Sequence, residues 1–135
     1  MKTFDVQTIE LKVASAQAFA YIADPARLPE WTSAFTRVRD GRALLRTPKG
    51  QVEIALGVAA RADAGTVDWR MTFPDGSVAN AYSRLVPVAG DRCIYSFVLT
   101  PPPVPLAELE GALEAQSRIL SEELGRLRHL LERRA

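Results

Sequence analysis

The sequence predicts an α+β fold in which a curved, seven-stranded antiparallel sheet wraps around a long C-terminal helix, with two short helices after the first strand. Three observations predict it: a helical segment that stops at Asp24-Pro25, glycine-containing turns between strand-like segments, and a leucine stripe after a proline-rich connector. A chain of 135 residues, 47% of them hydrophobic, is large enough for one packed core. Residues 1–135 are therefore expected to form a single domain.

The first strand is predicted over residues 3–13, where apolar residues alternate with polar ones. The apolar residues fall in two phases, which predicts an irregularity near the middle of the strand. One phase holds Ile9, Leu11 and Val13, and the other holds Phe4 and Val6.

Two short helices are expected next. Ser15 is a suitable N-cap for the first, and Asp24 ends it because a residue that precedes proline is pushed away from helical angles. Asp24 can also cap the second helix, with Pro25 at its first position and Pro29 ending it. Trp31 follows and is expected to pack beneath the end of the long helix, as a core anchor or as a pocket wall.

Turn signals then recur at intervals, and the segments between them are rich in strand-forming residues, which predicts an antiparallel meander. The turns are Asp40-Gly41, Pro48-Lys49-Gly50, Asp63-Ala64-Gly65, Pro74-Asp75-Gly76 and Ala89-Gly90-Asp91. Two strands have one clearly apolar face each, formed by Val52, Ile54, Leu56 and Val58 and by Val67, Trp69, Met71 and Phe73.

Residues 100–105 carry four prolines and are expected to form an extended connector, and residues 106–133 are expected to form the long helix. Its apolar stripe consists of Leu106, Leu109, Leu113, Leu120, Leu124, Leu127 and Leu131. Gln116 and Ser117 interrupt the stripe. They either face solvent or mark a polar place in the interior, and the second alternative is favoured because a buried amide needs a partner that a ligand can supply.

The order of these elements resembles the helix-grip fold of the START and pollen-allergen-like superfamily (SRPBCC, polyketide cyclase/dehydrase-like). The segment from Phe19 to Trp31 and the final Leu127-Arg128-His129-Leu130-Leu131-Glu132 carry the resemblance together with the meander between them. The resemblance implies a cavity between the sheet and the C-terminal helix, and a small hydrophobic ligand that is lipid-like, polyketide-like or aromatic. It also allows an enzyme similar to polyketide cyclase/aromatases, or a protein–protein adaptor similar to chaperone activators and ribosome-associated members.

Other function classes receive no support from the sequence. No histidine or cysteine pair has metal-ligand spacing, and neither a P-loop nor a glycine-rich dinucleotide motif occurs, so no cofactor is expected. A formal net charge of +1 argues against nucleic-acid binding, and no apolar run is long enough for a membrane span. The lone Cys93 and an N-terminus without an apolar signal segment predict a cytoplasmic protein, and a homodimer is left open.

Three polar features are expected to be structural. His129 falls off the leucine stripe and should be exposed, and Cys93 should be a buried strand residue without a catalytic base. Four arginines lie close together and are interpreted as a solvated face, with an anion or partner patch as the alternative. They are Arg37, Arg39, Arg42 and Arg46.

The ligand is expected to contact residues on the inner faces of the strands and the long helix. These are Trp31, Ile54, Leu56, Trp69, Met71, Phe73, Asn80, Tyr82, Arg84, Tyr95, Phe97, Gln116 and Leu120. The orientation of residues 77–88 stays open: Asn80, Tyr82 and Arg84 point inward as polar contacts, or Ala79, Ala81, Ser83 and Leu85 do. In the enzyme alternative, proton transfer would fall to Glu53, Tyr82, Arg84 and Tyr95.

Overall fold

The computed structural model describes residues 3–47, 50–101 and 106–134. In chain order the elements are β1 (Asp5–Leu11), α1 (Ser15–Ile22), a 3₁₀ turn (Pro25–Arg27), α2 (Leu28–Trp31), β2 (Phe35–Arg39), β3 (Arg42–Thr47), β4 (Gly50–Arg61), β5 (Thr66–Thr72), β6 (Val78–Ala89), β7 (Arg92–Leu99) and α3 (Leu106–Arg134).

Within the described part of the chain, seven strands form one sheet in the order β1-β7-β6-β5-β4-β3-β2, and every neighbouring pair is antiparallel. Strands β2 to β7 follow one another as hairpins, and β1 joins the free edge of β7. This arrangement confirms the predicted meander and the predicted number of strands. The inner face of the sheet is apolar, and α3 and the short helices cover it.

Glycine is required by the backbone at two of the predicted turns. Asp40 and Gly41 both have positive φ, 53° and 75°, as a two-residue turn between twisted strands needs. Gly65 has φ +72°, and a Cβ there would lie 2.3 Å from the carbonyl oxygen of Leu85. The predicted turns at residues 74–76 and 89–91 also lie between strands, while Pro48, Lys49 and residues 102–105 of the connector are outside the described residues.

The irregularity expected in the first strand is wrong. Strand β1 pairs with β7 from Asp5 to Leu11 without a register shift. Phe4 and Val6 belong to the second apolar phase because they lie on the outer side of the sheet, where they are 53% and 47% exposed. The apolar residues of the second phase therefore form an exposed apolar surface and do not mark a bulge.

Two details of the short helices also differ from expectation. Ser15 is the first residue of α1, Ala14 is its N-cap, and no side chain caps it. Asp24 does cap the following turn, since its Oδ1 accepts a hydrogen bond of 3.0 Å from the Ala26 N–H. Pro29 does not end a helix but lies in the first turn of α2, where its missing N–H costs no hydrogen bond.

The C-terminal turns of α3 pack tightly against the end of β1 and against α1. The Lys12 N–H donates to Glu132, and the Tyr21 hydroxyl donates to Glu30 at 2.9 Å. Arg27 and Arg134 lie against the Tyr21 ring, 5.4 and 5.0 Å from its centroid. We call this region the closed end, and its apolar members are Leu11, Val13, Ile22, Leu28, Leu124, Leu127 and Leu131, each at most 2% exposed.

The predicted leucine stripe is buried where its side chains are described, at Leu113, Leu120, Leu124, Leu127 and Leu131. Leu106 and Leu109 lie where the description does not extend to side chains. Helix α3 makes its main backbone contacts with β1 and α2 and not with the central strands. Large side chains from the central strands therefore fill the space beneath the helix.

Candidate ligand-binding site

Four aromatic side chains meet beneath α3: Trp31 from α2, Trp69 from β5, and Tyr95 and Phe97 from β7. We call them the aromatic cluster. Strand β6 lies between β5 and β7 and presents the small Ala81 opposite Trp69. Because β6 contributes no large ring here, the Trp69 and Phe97 rings stack across it, with centroids 5.7 Å apart and planes at 26°.

The rings form a continuous chain of contacts. Trp31 meets Trp69 edge to face, with centroids 6.4 Å apart, and Tyr95 meets Phe97 in the same manner at 6.4 Å. Offset and edge-to-face arrangements of this kind are the favourable ones for aromatic pairs. The cluster thus presents ring faces and ring edges to the interior of the domain.

The cluster also holds three buried hydrogen-bond donors that have no partner among the described residues: Trp31 Nε1, Trp69 Nε1 and the Tyr95 hydroxyl. The three residues are 2%, 4% and 0% exposed. Buried donors are almost always paired in native proteins, and each unpaired one costs about 1–3 kcal/mol. Three such groups in one cluster indicate that an acceptor belongs there.

Burial raises the pKa of the Tyr95 hydroxyl above its ordinary value, and the Ser83 hydroxyl lowers it by a smaller amount, although the two hydroxyls do not meet the geometry of a hydrogen bond. Ser83 is itself buried and donates to the Val67 carbonyl oxygen at 2.7 Å. Tyr95 therefore stays protonated near neutral pH. It can donate a hydrogen bond to a ligand, but it cannot act as a base.

Most of the residues predicted to contact a ligand lie on the inner side of the sheet or on the facing side of α3. Met71 and Phe73 are half-buried there. The buried ones are Trp31, Ile54, Leu56, Trp69, Tyr95, Phe97 and Leu120.

Strand β6 resolves the alternative that the sequence left open. Ala81, Ser83 and Leu85 are buried, whereas Tyr82 and Arg84 are exposed on the opposite side of the strand. Asn80 shares that outer side, and the placement of these three polar residues in an interior site is therefore wrong. The structure shows the other alternative, in which Ala81, Ser83 and Leu85 point inward.

Gln116 is exposed, so its predicted place in the interior is also wrong. The neighbouring Ser117 takes the polar position instead, because one helical residue turns the side chain by about 100° toward β1. Its hydroxyl donates to Asp5, and Gln7 Nε2 donates to the Ser117 carbonyl oxygen at 2.8 Å. These bonds tie α3 to the edge strand.

Asp5 and Gln7 were not among the residues predicted for the site. Both continue the phase of Ile9 and Leu11 toward the N-terminus, which is the signal that could have placed them beneath the helix. They border an open groove of about 600 Å³, which also involves Leu113, Glu114, Ser117, Arg118 and Ser121.

Glu123 is a further polar residue whose burial could not be predicted from the sequence. Burial raises the pKa of its carboxyl group, and the Ser33 N–H, which donates to Oε2 at 2.6 Å, offsets part of this rise. Nearby, Arg126 donates to the carbonyl oxygen of Trp31 at 3.1 Å. Helix α3 thereby fixes the backbone at Trp31 and two residues after it, as expected for a residue beneath the end of the helix.

Of the residues proposed for proton transfer, only Tyr95 lies in the interior. Glu53 is exposed and pairs with Arg42 at 3.4 Å, and Tyr82 and Arg84 lie on the outer side. The geometry brings no second titratable group of that set to the aromatic cluster. This set of four therefore cannot act together on one substrate.

The residues expected to be structural behave as predicted. His129 is exposed, and Cys93 is a free, fully buried thiol whose pKa burial raises. The exposed arginines match the solvated-face interpretation, and they are Arg37, Arg39, Arg42 and Arg46. No helix in the described part of the chain is long and apolar enough to cross a membrane.

Comparison with known proteins shows the family to which the chain belongs. The model of the family described as polyketide cyclase / dehydrase and lipid transport matches residues 5–132. No curated protein matches the chain in sequence.

Several solved structures share the fold. A START superfamily protein from Mycobacterium smegmatis superposes with a TM-score of 0.71 at 13% identity, covering 99% of this chain and 100% of the other. The Zhui aromatase/cyclase from Streptomyces sp. R1128 gives 0.69 at 11% identity, over 97% and 94% of the chains. The Aha1 dimer from Colwellia psychrerythraea gives 0.65 at 12% identity, over 97% of both. At these identities the likeness shows the fold alone, which is the predicted helix-grip, START-like fold.

Proposed function

The chain belongs to the polyketide cyclase / dehydrase and lipid transport family, and we propose that it binds one small, mostly apolar molecule that carries a hydrogen-bond acceptor. The ligand would sit between the sheet and α3, against the aromatic cluster. This is a binding function without a cofactor, exercised in a reducing cytoplasm, as the lone free Cys93 favours.

The observation that carries the proposal is the group of three donors at Trp31, Trp69 and Tyr95, which have no partner among the residues that the structure describes. A purely hydrocarbon ligand would leave them unpaired. A carbonyl, ether or phenolic oxygen would accept from one or two of them, and each bond would recover part of the cost of about 1–3 kcal/mol per donor. The flat ring faces favour an aromatic or otherwise planar skeleton that can stack beside them.

Access to the cluster is best at the end of the inner face that lies away from the closed end. Met71, Phe73 and Leu99 are half-buried there, in contrast to the complete burial around Leu124 and Leu127. Methionine is unbranched and adapts its shape readily, so this end can yield to an entering ligand at small cost.

Lipid-like and polyketide-like ligands fit the family description, and an aromatic ligand fits the ring faces of the cluster. The need for a hydrogen-bond acceptor excludes pure hydrocarbons from all three classes. The related structure named as an aromatase/cyclase supports a polyketide-like or aromatic ligand. A catalytic role finds less support, because Tyr95 is the one member of the proposed proton-transfer set in the interior. Its raised pKa suits it to orient a carbonyl and not to remove a proton.

A matched pair of ligands tests the proposal. Fluorenone and fluorene share one planar skeleton and differ by a carbonyl oxygen. Each would be titrated against protein that carries a naphthalene-type dye, with displacement and tryptophan emission as readouts. We expect fluorenone to bind in the micromolar range and about tenfold tighter than fluorene, the ratio that one net hydrogen bond of about 1.4 kcal/mol gives. Failure of both compounds to displace the dye, or equal affinities, would contradict the proposal.

A further inference from the structure

The outer side of the sheet carries an apolar surface that the fold does not need. Val6, Val98 and Tyr82 lie side by side on β1, β7 and β6, as the strand registers show. Ile94 and Val86 form a second apolar row, which the polar row of Thr8, Ser96 and Arg84 separates from the first. We call these five residues the ridge. Its members Tyr82, Val6 and Val86 are 43%, 47% and 39% exposed.

Strand β4 is flat on the same outer side, where Ala55, Gly57 and Ala59 face outward opposite the outer residues of β5. We call these three residues the trough. Gly57 has no positive φ and lies in a regular part of the strand. A Cβ at Gly57 would lie 3.9 Å from the Arg70 carbonyl oxygen, an ordinary contact, so the chain itself does not require a glycine. Glycine inside a strand weakens it and often marks the close approach of another backbone.

Charged side chains of both signs lie around Tyr82 on this side, and the exposed Arg70 faces outward on β5, opposite Gly57. Asp68 lies directly opposite Tyr82 on β5, and Arg84 lies two residues further along β6. Neither makes an ion pair within the described residues. The chain as a whole has a net charge of +1, so two copies repel one another little.

We propose that the outer side of the sheet is the contact surface of a symmetric homodimer. The ridge of one protomer lies over the trough of its partner, and Arg84 of each protomer faces Asp68 of the other. A two-fold interface uses the same patch twice and must be complementary to itself. A ridge, a trough and charges of both signs on a single side meet this requirement, whereas a different protein or a lipid surface would not need all of them.

The size of the surface sets the expected strength. Five strands about 4.8 Å apart and roughly seven residues of about 3.4 Å each span roughly 600 Å² before side-chain relief. Stable interfaces bury about 800 Å² per partner, so the dimer should be a reversible one in the micromolar range. It would leave the inner side of the sheet and the aromatic cluster free.

Sedimentation velocity at concentrations from about 1 to 200 μM tests the proposal, since this range brackets a micromolar dissociation constant. Gly57→Val fills the trough with a residue that strands favour, and it should weaken the dimer at least about tenfold without lowering the melting temperature. Tyr82→Lys should act likewise. Ile119→Lys is the matched control, because Ile119 is also 43% exposed but lies on α3, and the dimer should persist.

Charge reversal provides an independent arm of the test. Asp68→Arg should weaken the dimer by placing like charges together, and the double variant Asp68→Arg with Arg84→Asp should restore it. A monomeric wild-type protein over the whole concentration range would overturn the proposal. So would a dimer that Gly57→Val and the charge reversals leave unchanged, or one that Ile119→Lys breaks, since its contact surface would then lie elsewhere.

Discussion

The closed end and the aromatic cluster are built from the same sheet and the same helix, but they differ in how their polar groups are satisfied. At the closed end, the Tyr21 hydroxyl, which burial and Glu30 keep protonated with a pKa raised to about 12, is paired with that carboxylate. In the aromatic cluster, the Tyr95 hydroxyl is more deeply buried and has no hydrogen-bond partner among the described residues. The polar groups of the closed end are paired, and the aromatic cluster retains the cost of unpaired donors that the proposed ligand would relieve.

The contrast shows how one fold can combine a tightly packed region with a region of unpaired polar groups. Leucines at the closed end are at most 2% exposed and pack aliphatic side chains together. In the aromatic cluster, large rings span the distance between α3 and the central strands, where side chains and not backbone contacts hold the layers. Aliphatic burial provides most of the free energy of folding, so the aromatic region can be left unsatisfied.

The largest expected effect is at the closed end. Leu124→Asp places a carboxylate where the side chain is 1% exposed. Burial of an unpaired charge should cost at least about 4–5 kcal/mol, against a total stability of about 5–15 kcal/mol. We expect largely unfolded protein by circular dichroism. Ile119→Asp on the exposed side of α3 is the control, and equal stability of the two variants would show that the helix is not docked.

A smaller effect is expected from Tyr21→Phe, which removes the hydrogen bond to Glu30 and keeps the ring between Arg27 and Arg134. Because Glu30 is partly exposed, the loss should be about 1–2 kcal/mol in chemical denaturation. An unchanged midpoint would mean that solvent replaces this bond without cost. The closed end would then owe its stability to apolar packing alone.

The smallest effect concerns Glu123, whose pKa burial raises. The folded state therefore holds the proton more tightly than the unfolded state, and stability falls as the pH rises through the interval between the unfolded and folded pKa values. Glu123→Gln keeps an acceptor for the Ser33 N–H and removes the titration. Its free energy of unfolding at neutral pH should exceed that of the wild type, and the difference should vanish below the unfolded pKa. A difference that persists unchanged in acid would contradict this assignment.

The parts of the fold with one apolar face could be predicted from the sequence. Strands β4 and β5 each have one clear apolar phase, and both phases point inward as predicted, with Ile54 and Trp69 buried. Strand β6 could not be oriented, because it is apolar on both sides: Ala81 and Leu85 face the core while Val86 and Val88 face outward. An apolar surface outside the core removes the alternation on which such a prediction depends.

The candidate site was predictable in its walls and not in its chemistry. Trp31, Trp69, Tyr95 and Phe97 follow from strand phase and from the turn after α1. The unpaired state of their donors depends on which atoms the packing brings near, and no spacing in the sequence encodes this. For the same reason Gln116 could not be told from Ser117, since adjacent helical residues differ by a rotation that only docking of the helix fixes.

Replacement of Tyr95 by phenylalanine tests the central claim most directly, with Tyr82→Phe on the outer side as the matched control. If the buried hydroxyl is unpaired in the ligand-free protein, its removal in Tyr95→Phe should raise the free energy of unfolding of that protein by about 1 kcal/mol or more. It should also weaken fluorenone binding about tenfold and leave fluorene unaffected, the loss expected for about 1.4 kcal/mol. Tyr82→Phe should change neither quantity. A Tyr95→Phe variant that is less stable than the wild type and binds fluorenone equally well would show that the hydroxyl serves the fold, and the account would be wrong.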